Sequence, residues 1–177
     1  MELKTLVLWA VMAAVAPVAA HADEEIEYEL WAPLERLREC LAIEEGGLEG
    51  DRGCLGLVAS LCEAELGNKT STLNVVRCVQ LEHAAWDILL NEEYLATRTH
   101  AEGADMVTAG TDPHFANFAE SLTAAQRAWI AYREAECGLA HARWGAGSQR
   151  QIAGARCRLA LTADRTVELK WLREETM

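Results

Sequence analysis

The sequence lacks an excess of positive charge, a second long hydrophobic run and any C-x-x-C pair. Its 177 residues carry 16 basic and 28 acidic side chains, which gives a formal net charge of -12 at pH 7. Such a chain repels phosphate backbones and anionic lipids, so we predict no nucleic-acid partner. The shortage of basic residues instead favours a cationic partner, or it serves solubility alone.

The one long hydrophobic run covers residues 6–20 and follows a single lysine. It is too short for a membrane-spanning helix, which needs about 20 apolar residues. The triplet Ala20-His21-Ala22 fits a small-x-small cleavage site, so residues 1–22 are predicted to be a secretory signal peptide. No cysteine lies at the cleavage junction to accept a lipid. We therefore expect a periplasmic or secreted protein with no membrane anchor.

Residues 23–33 are predicted to be an acidic arm, and residues 34–177 a single helical domain. The apolar fraction of 51% is enough to bury a core in a domain of this size. Between Asp23 and Glu65 there are 13 acids and 3 bases, against 14 acids and 12 bases from Leu66 to Met177. The acidic arm could therefore fold onto the arginines of residues 143–158, or it could contact a cationic enzyme.

Apolar residues recur at three- and four-residue steps, and no segment alternates as a strand would. The predicted helices cover about 34–41, 55–66, 72–100, 113–143 (with a possible kink at Thr123) and 149–173. We predict loops or turns at three places, which are the glycine-rich residues 46–53, residues 103–110 and residues 145–148. The predicted class is all-α, a disulfide-stabilised helical bundle with long antiparallel helices.

Six cysteines in a chain predicted to be exported indicate three disulfides, for which fifteen pairings are possible. We favour pairing between neighbours in the sequence, with loops of about 15–20 residues that each contribute roughly 3 kcal/mol. The favoured pairs are Cys40–Cys54, Cys62–Cys78 and Cys137–Cys157. The alternative joins Cys78 to Cys137 across two antiparallel helices. Without a C-x-x-C pair, a zinc site is not expected.

No group of residues specifies catalysis, a metal or another cofactor. The histidines lack the spacing of a helical metal site. Ser148 does not lie in a strand-turn-helix nucleophile elbow. His83 falls on the apolar stripe of the long helix, where we expect a half-buried core residue and not a ligand. The prediction is a protein that is not an enzyme and needs no cofactor.

One segment is distinctive, AQRAWIAYREAEC at residues 125–137. The elements that accompany it are Cys78, Leu90-Asn91-x-x-Tyr94, Gly147-Ser148, Cys157, Leu161-Thr162, Arg165 and Leu169. In this order they resemble the LprI-type lysozyme-inhibitor family, over about residues 62–172. The resemblance implies a small exported α-helical domain with disulfides and the inhibition of lysozyme.

The motif residues have a structural interpretation as determinants of the fold. They are Leu90, Asn91, Tyr94, Gln126, Trp129, Tyr132, Arg133, Thr162 and Arg165. On the helical wheel, Trp129, Tyr132, Glu136 and Leu139 share one face, with Gln126, Arg133 and Cys137 beside it. We expect Trp129 to pack against Trp86 or Leu90. Arg133 is expected to pair with Glu92 or Glu93, or to bond to Asn91.

The turn at residues 144–148 is the candidate partner contact, through Trp144, Gly147 and Ser148. A tryptophan beside a glycine-rich turn can be an exposed anchor, since tryptophan is frequent among binding hot spots. Alternatively, Trp144 covers the end of the bundle. The predicted function is an exported, lysozyme-inhibitor-like protein that binds a cationic muramidase or a similar envelope partner. The alternative is a non-enzymatic structural or assembly module of the envelope that binds another protein without inhibiting lysozyme.

Overall fold

The computed structural model of the protein describes residues 32–43, 47–67 and 71–175. The elements are helix α1 (residues 32–43), α2 (Gly47–Arg52), α3 (Leu57–Leu66), α4 (Thr72–Ala109), a 3-10 turn (Pro113–Phe115), α5 (Phe118–Ala142) and α6 (Gln149–Glu175). No strand occurs in these three ranges, so the predicted all-α class is confirmed. The predicted signal peptide, and residues 23–31 of the predicted acidic arm, lie outside the described residues.

The three long helices form the body of the domain. Helices α4 and α6 run parallel. Gln80 of α4 and Gly154 of α6 line one cavity. Further along both helices, Thr97 Oγ1 donates to the carbonyl oxygen of Leu169 at 3.0 Å. Helices α4 and α6 pack directly on each other, and α5 lies against both and is antiparallel to both. The short helices α1, α2 and α3 lie against α4 and α6 and cover the remaining apolar surface.

The core has two parts. The larger part surrounds the fully buried Trp86 and takes side chains from α1, α3, α4 and α6, among them Leu37, Val79 and Leu159. The smaller part lies where α4 and α6 meet the first half of α5, and its buried members are Leu90, Ala101, Leu122 and Leu169. Burial of these side chains is the main force that holds the helices together.

Helix α4 is longer than predicted, because residues 103–109 are helical where we expected a loop. The residues around Gly103 are good helix formers, and Arg98 pairs with Glu102 one turn apart at 2.9 Å. The carboxylate of Asp105 also accepts hydrogen bonds from the backbone N–H groups of Phe118 and Ala119, at 2.8 and 2.9 Å. The end of α4 therefore caps the start of α5, which stabilises both helices.

The start of α5 and the glycine-rich segment near the N-terminus also differ from the prediction. Asp112 and Pro113 begin a 3-10 turn and not the long helix, which starts only at Phe118. Helix α5 has no break at Thr123, whose hydroxyl donates to the carbonyl oxygen of Ala119 at 2.9 Å, and it continues to Ala142. The glycine-rich segment that we expected to be a loop contains the short helix α2.

The three disulfides join the cysteines as favoured from the sequence, and the alternative between Cys78 and Cys137 is wrong. Their Cα atoms lie 5.3–5.9 Å apart, within the normal range. Cys40–Cys54 joins α1 to the turn after α2, Cys62–Cys78 joins α3 to α4, and Cys137–Cys157 joins α5 to α6. Each disulfide therefore fixes one helix against its neighbour.

Candidate functional site

The family-like motif on α5 faces the bundle through the residues that the helical wheel places beside the Trp129 face. Gln126 and Cys137 are buried, whereas Tyr132 is 53% and Leu139 is 62% exposed. The predicted flank is thus the inner face. The Cys137–Cys157 disulfide and the hydrogen bond from Arg165 to Gln126 hold this side of α5 against α6. Tyr132 and Leu139 therefore face solvent although they are largely apolar.

Arg133 is the central polar residue of the inner face. Its Nη1 donates to Thr162 Oγ1 at 3.0 Å and lies 3.5 Å from Asp87 Oδ1, while its guanidinium carbon is 5.0 Å from the ring centroid of Trp129. The expected pairing with Glu92 or Glu93, or with Asn91, is therefore wrong. Glu92 and Glu93 instead pair with arginines of α1 and α6. Arg133 links all three long helices.

Most of the other motif residues contact the bundle or their own helix, whereas Tyr132 is exposed. Arg165 Nε donates to Gln126 Oε1 at 3.0 Å, and Asn91 Nδ2 donates to the carbonyl oxygen of Asp87 at 2.9 Å. Trp129, Tyr94 and Leu90 pack in the smaller core cluster. Trp86 belongs to the larger cluster, so Leu90 is the one of the two expected partners that shares a cluster with Trp129.

Two buried carboxylates were missed from the sequence. Glu82 is fully buried, and it accepts the backbone N–H groups of Gly56 and Ala59 at 2.6 and 2.7 Å and Trp86 Nε1 at 3.1 Å. It thereby caps the first turn of α3 from the middle of α4. The only sequence signal was an acid in the apolar half of a helix, which pattern analysis treats as a solvated position.

The second buried carboxylate, Asp51 of α2, is 1% exposed. Its Oδ2 lies 2.6 Å from Lys170 Nζ and accepts Trp171 Nε1 at 2.9 Å. These contacts attach the N-terminal helices to the last turns of α6. Since Lys170 lies 21 residues after Gln149, α2 docks about 30 Å along the helix from its start.

The candidate contact turn lies at the start of α6, and residues 142–149 are all exposed. The exposed fraction of Trp144 is 47%. Gly145 has a φ of +54°, which favours glycine, and the backbone N–H of Gly147 donates to the carbonyl oxygen of Trp144 at 3.0 Å. Local backbone bonds thus hold the turn, while its indole remains accessible to solvent.

The charges around this turn differ from those of the rest of the chain. Between Cys137 and Ala163 there are four arginines and no acid: Arg143, Arg150, Arg156 and Arg158. Arg150 Nε donates to Nε2 of His141 at 3.1 Å. The turn therefore adjoins an arginine-rich segment, in which Arg156 and Arg158 lie 3.9 and 3.5 Å from Glu63 and Glu134. Helix α2 with its acidic side chains is attached near the opposite end of α6.

His83 is half-buried, as predicted for a residue on the apolar stripe of α4. Burial lowers the pKa of His83 from its ordinary value, because desolvation disfavours the charged ring. Within the described ranges, no group of three or more His, Cys, Asp or Glu side chains could hold a metal ion. None of the helices there is both long and apolar enough to span a bilayer.

The fold and the exposed turn define a small, disulfide-tied helical domain with an apolar core and a few buried polar contacts. A family model described as "Lysozyme inhibitor LprI" matches residues 62–169, and the chain belongs to this family. It is 32% identical over 112 residues to an uncharacterised protein of Rhizobium meliloti (strain 1021), an alignment that covers 63% of this chain and 81% of that protein. No solved structure matches the chain. Helices α1 and α2 lie outside the family match.

Proposed function

We propose that the protein is an exported lysozyme inhibitor that acts by binding a cationic muramidase through the turn at residues 143–148. It works in the periplasm or outside the cell, needs no cofactor and catalyses no reaction. The family match supports the class of activity. The observation that carries the assignment to this turn is an exposed tryptophan in a glycine-rich connection, next to the arginine-rich segment of an acidic chain.

The arginine beside the turn and the acidic remainder of the chain both contribute to this binding. Glycoside hydrolases hold a pair of carboxylates about 5–10 Å apart in the cleft that cleaves the sugar chain. Arg143 lies next to Trp144 at the exposed end of α5 and can face such carboxylates, while the indole occupies apolar surface in the cleft. The acidic remainder of the chain attracts the cationic body of the enzyme and raises the rate of association.

A cell-wall turbidity assay tests the proposal. The oxidised protein at micromolar concentration and low salt is expected to slow lysis by a cationic muramidase, and added salt is expected to weaken the effect. Trp144→Ala is expected to weaken inhibition at least about tenfold, as for a central aromatic hot spot.

Leu139→Ala is the matched control, since it also truncates an exposed apolar side chain at the same end of α5. It is expected to leave inhibition within about twofold. Unchanged lysis in the presence of the wild-type protein would contradict the proposal. If, in addition, a stable partner co-purifies from the periplasm, the chain is an envelope assembly module instead. A variant that lacks residues 23–29 is compared with the full chain to measure how much the acidic arm contributes to the rate of association.

A further inference from the structure

A polar cavity lies where α4, α5 and α6 meet, beneath the turn. Its volume is about 280 Å³. The side chains that matter are His83 and Gln80 of α4, His141 of α5, and Gln151 and Arg158 of α6. We call it the His83 pocket. The backbone of Gly138 also lines it, and a Cβ atom at that position would meet no other atom within 4 Å.

The polar part of the His83 pocket lining contains donors and no acid. Two imidazoles, two amides and one guanidinium lie among small and apolar residues, and none of the lining residues is Asp or Glu. Of the two imidazoles, His141 already accepts a hydrogen bond from Arg150 at its Nε2. The donors come from three different helices, which the Cys137–Cys157 disulfide and the inner-face contacts of Arg133 hold in place. Such a set of convergent donors matches an oxyanion.

His83 adds a second, independent observation. Its Nε2 atom is buried and has no hydrogen-bond partner within the part of the chain that the structure describes. A buried polar atom without a partner costs about 1–3 kcal/mol, and it is rare enough in native proteins to need a reason. A ligand oxygen in the His83 pocket would supply the missing partner.

The charged groups near His83 balance one another, but one of the two arginines has donors to spare. Asp87 on α4 and Glu134 on α5 are balanced by Arg133 on α5 and Arg158 on α6. Arg133 is already held by Asp87, Thr162 and Glu134. Arg158, by contrast, has one hydrogen bond among the described residues, at 3.5 Å from Nη2 to Glu134 Oε2. Its remaining N–H groups can therefore serve the pocket.

We propose that the His83 pocket binds the carboxylate of a small organic acid between His83 Nε2 and the guanidinium of Arg158. At about 30 Å³ for each water in the liquid, the volume suits a ligand of about nine non-hydrogen atoms. The carboxylate can belong to a free acid or to the end of a short peptide. This site is separate from the inhibitory turn and does not rest on the proposed function.

The affinity of the His83 pocket for a carboxylate is expected to depend on pH. Burial lowers the pKa of the empty His83 ring, and Arg133 and Arg158 lower it further against the opposing effects of Asp87 and Glu134. A bound carboxylate favours the protonated ring and raises that pKa. The complex therefore takes up a proton, and affinity is expected to rise as the pH falls from about 7.5 to about 6.

NMR titration of the oxidised protein tests the site, with acetate, lactate, acetyl-alanine and acetyl-alanine methylamide as probes. Acetate and lactate represent free acids, acetyl-alanine represents a peptide end, and the methylamide lacks the carboxylate. We expect saturable shifts of the His83 ring signals at millimolar acid and none with the methylamide. Arg158→Gln is expected to weaken binding at least about tenfold.

Arg156→Gln is the matched control, because Arg156 is exposed on the same helix and does not line the His83 pocket. It is expected to change the dissociation constant less than about twofold. His83→Gln is expected to abolish the increase in affinity at lower pH. The proposal is overturned if no acid gives saturable shifts at His83, which would mean that the pocket holds water alone, or if Arg156→Gln and Arg158→Gln weaken binding equally.

Discussion

The two faces of α5 differ in what holds them in place and not simply in polarity. The face towards the bundle carries Gln126, Arg133 and Cys137 beside the buried Leu122, and the face towards solvent includes Tyr132 and Leu139. In most amphipathic helices an apolar stripe makes up the buried side. The inner face of α5 is held in addition by a disulfide and by hydrogen bonds to α4 and α6, which need particular partners at particular positions.

The comparison shows that apolar burial does not by itself specify how the helices of this bundle pack. Glu82, Asp51 and Arg133 each link elements that are distant in sequence. Since a polar group left unpaired in the interior is costly, these contacts penalise other arrangements of the helices. The exposed apolar residues contribute no such restriction, so they can serve contacts with other molecules.

The largest expected effect comes from removing an inner carboxylate. Glu82→Ala leaves two backbone N–H groups of the first turn of α3 and the indole N–H of Trp86 without their acceptor. The free energy of unfolding is expected to fall by about 3 kcal/mol, measured by urea denaturation with the disulfides intact.

Glu136→Ala is the control for this prediction, since it removes an acid from the exposed side of α5. Its effect is expected to stay within about 0.5 kcal/mol. Equal losses for the two variants would show that the buried carboxylate does not stabilise the fold. Should Glu82→Ala not fold, Glu82→Gln keeps the size of the side chain and is expected to give a smaller loss in the same direction.

Much of the fold could be predicted from the sequence, because the decisive signals are local. Helical periodicity gave the three long helices, and each disulfide joins cysteines separated by 14–20 residues. The predicted helix bounds were wrong where a contact between residues distant in the sequence determines where a helix ends. Asp105 caps a helix that begins 13 residues later, so residues that resemble a loop remain helical up to Ala109.

The candidate site shows the same limit. Trp144 and its glycines could be singled out because an aromatic residue at a helix end is a local signal. The buried face of α5 could not be predicted, since it depends on the Arg133–Thr162 and Arg165–Gln126 contacts, which span 29 and 39 residues. The His83 pocket was missed for the same reason: its donors come from three helices, and no two of them form a sequence motif.

The second prediction concerns the contribution of the half-buried His83 to the pH dependence of the free energy of unfolding. The folded protein holds the pKa of His83 below its ordinary value, so the unfolded chain binds more protons at this residue as the pH falls below about 6.5. The contribution of His83 to stability is therefore present above that pH and is lost towards the lower pKa of the folded state. The slope cannot exceed about 1.4 kcal/mol per pH unit for one group.

The measurement is the free energy of unfolding at pH about 7.5 and about 5 in wild type, His83→Phe and His114→Phe. His83→Phe is expected to lose less stability than wild type between the two pH values. His114→Phe is the matched control, since it removes an exposed imidazole from the 3-10 turn. An identical pH dependence in all three proteins would contradict the assignment of a buried, neutral His83.

The smallest expected effect is on the outer face of α5. Leu139→Ala truncates a side chain that is 62% exposed, so the free energy of unfolding is expected to change by no more than about 0.5 kcal/mol in urea denaturation. A buried leucine on the inner side of the same helix, Leu122, would instead lose at least about 2 kcal/mol on the same truncation. A loss at Leu139 as large as that at Leu122 would mean that the outer stripe is packed in solution. In that case Tyr132 and Leu139 would not be free to meet another molecule, and the contrast between the two faces of α5 would disappear.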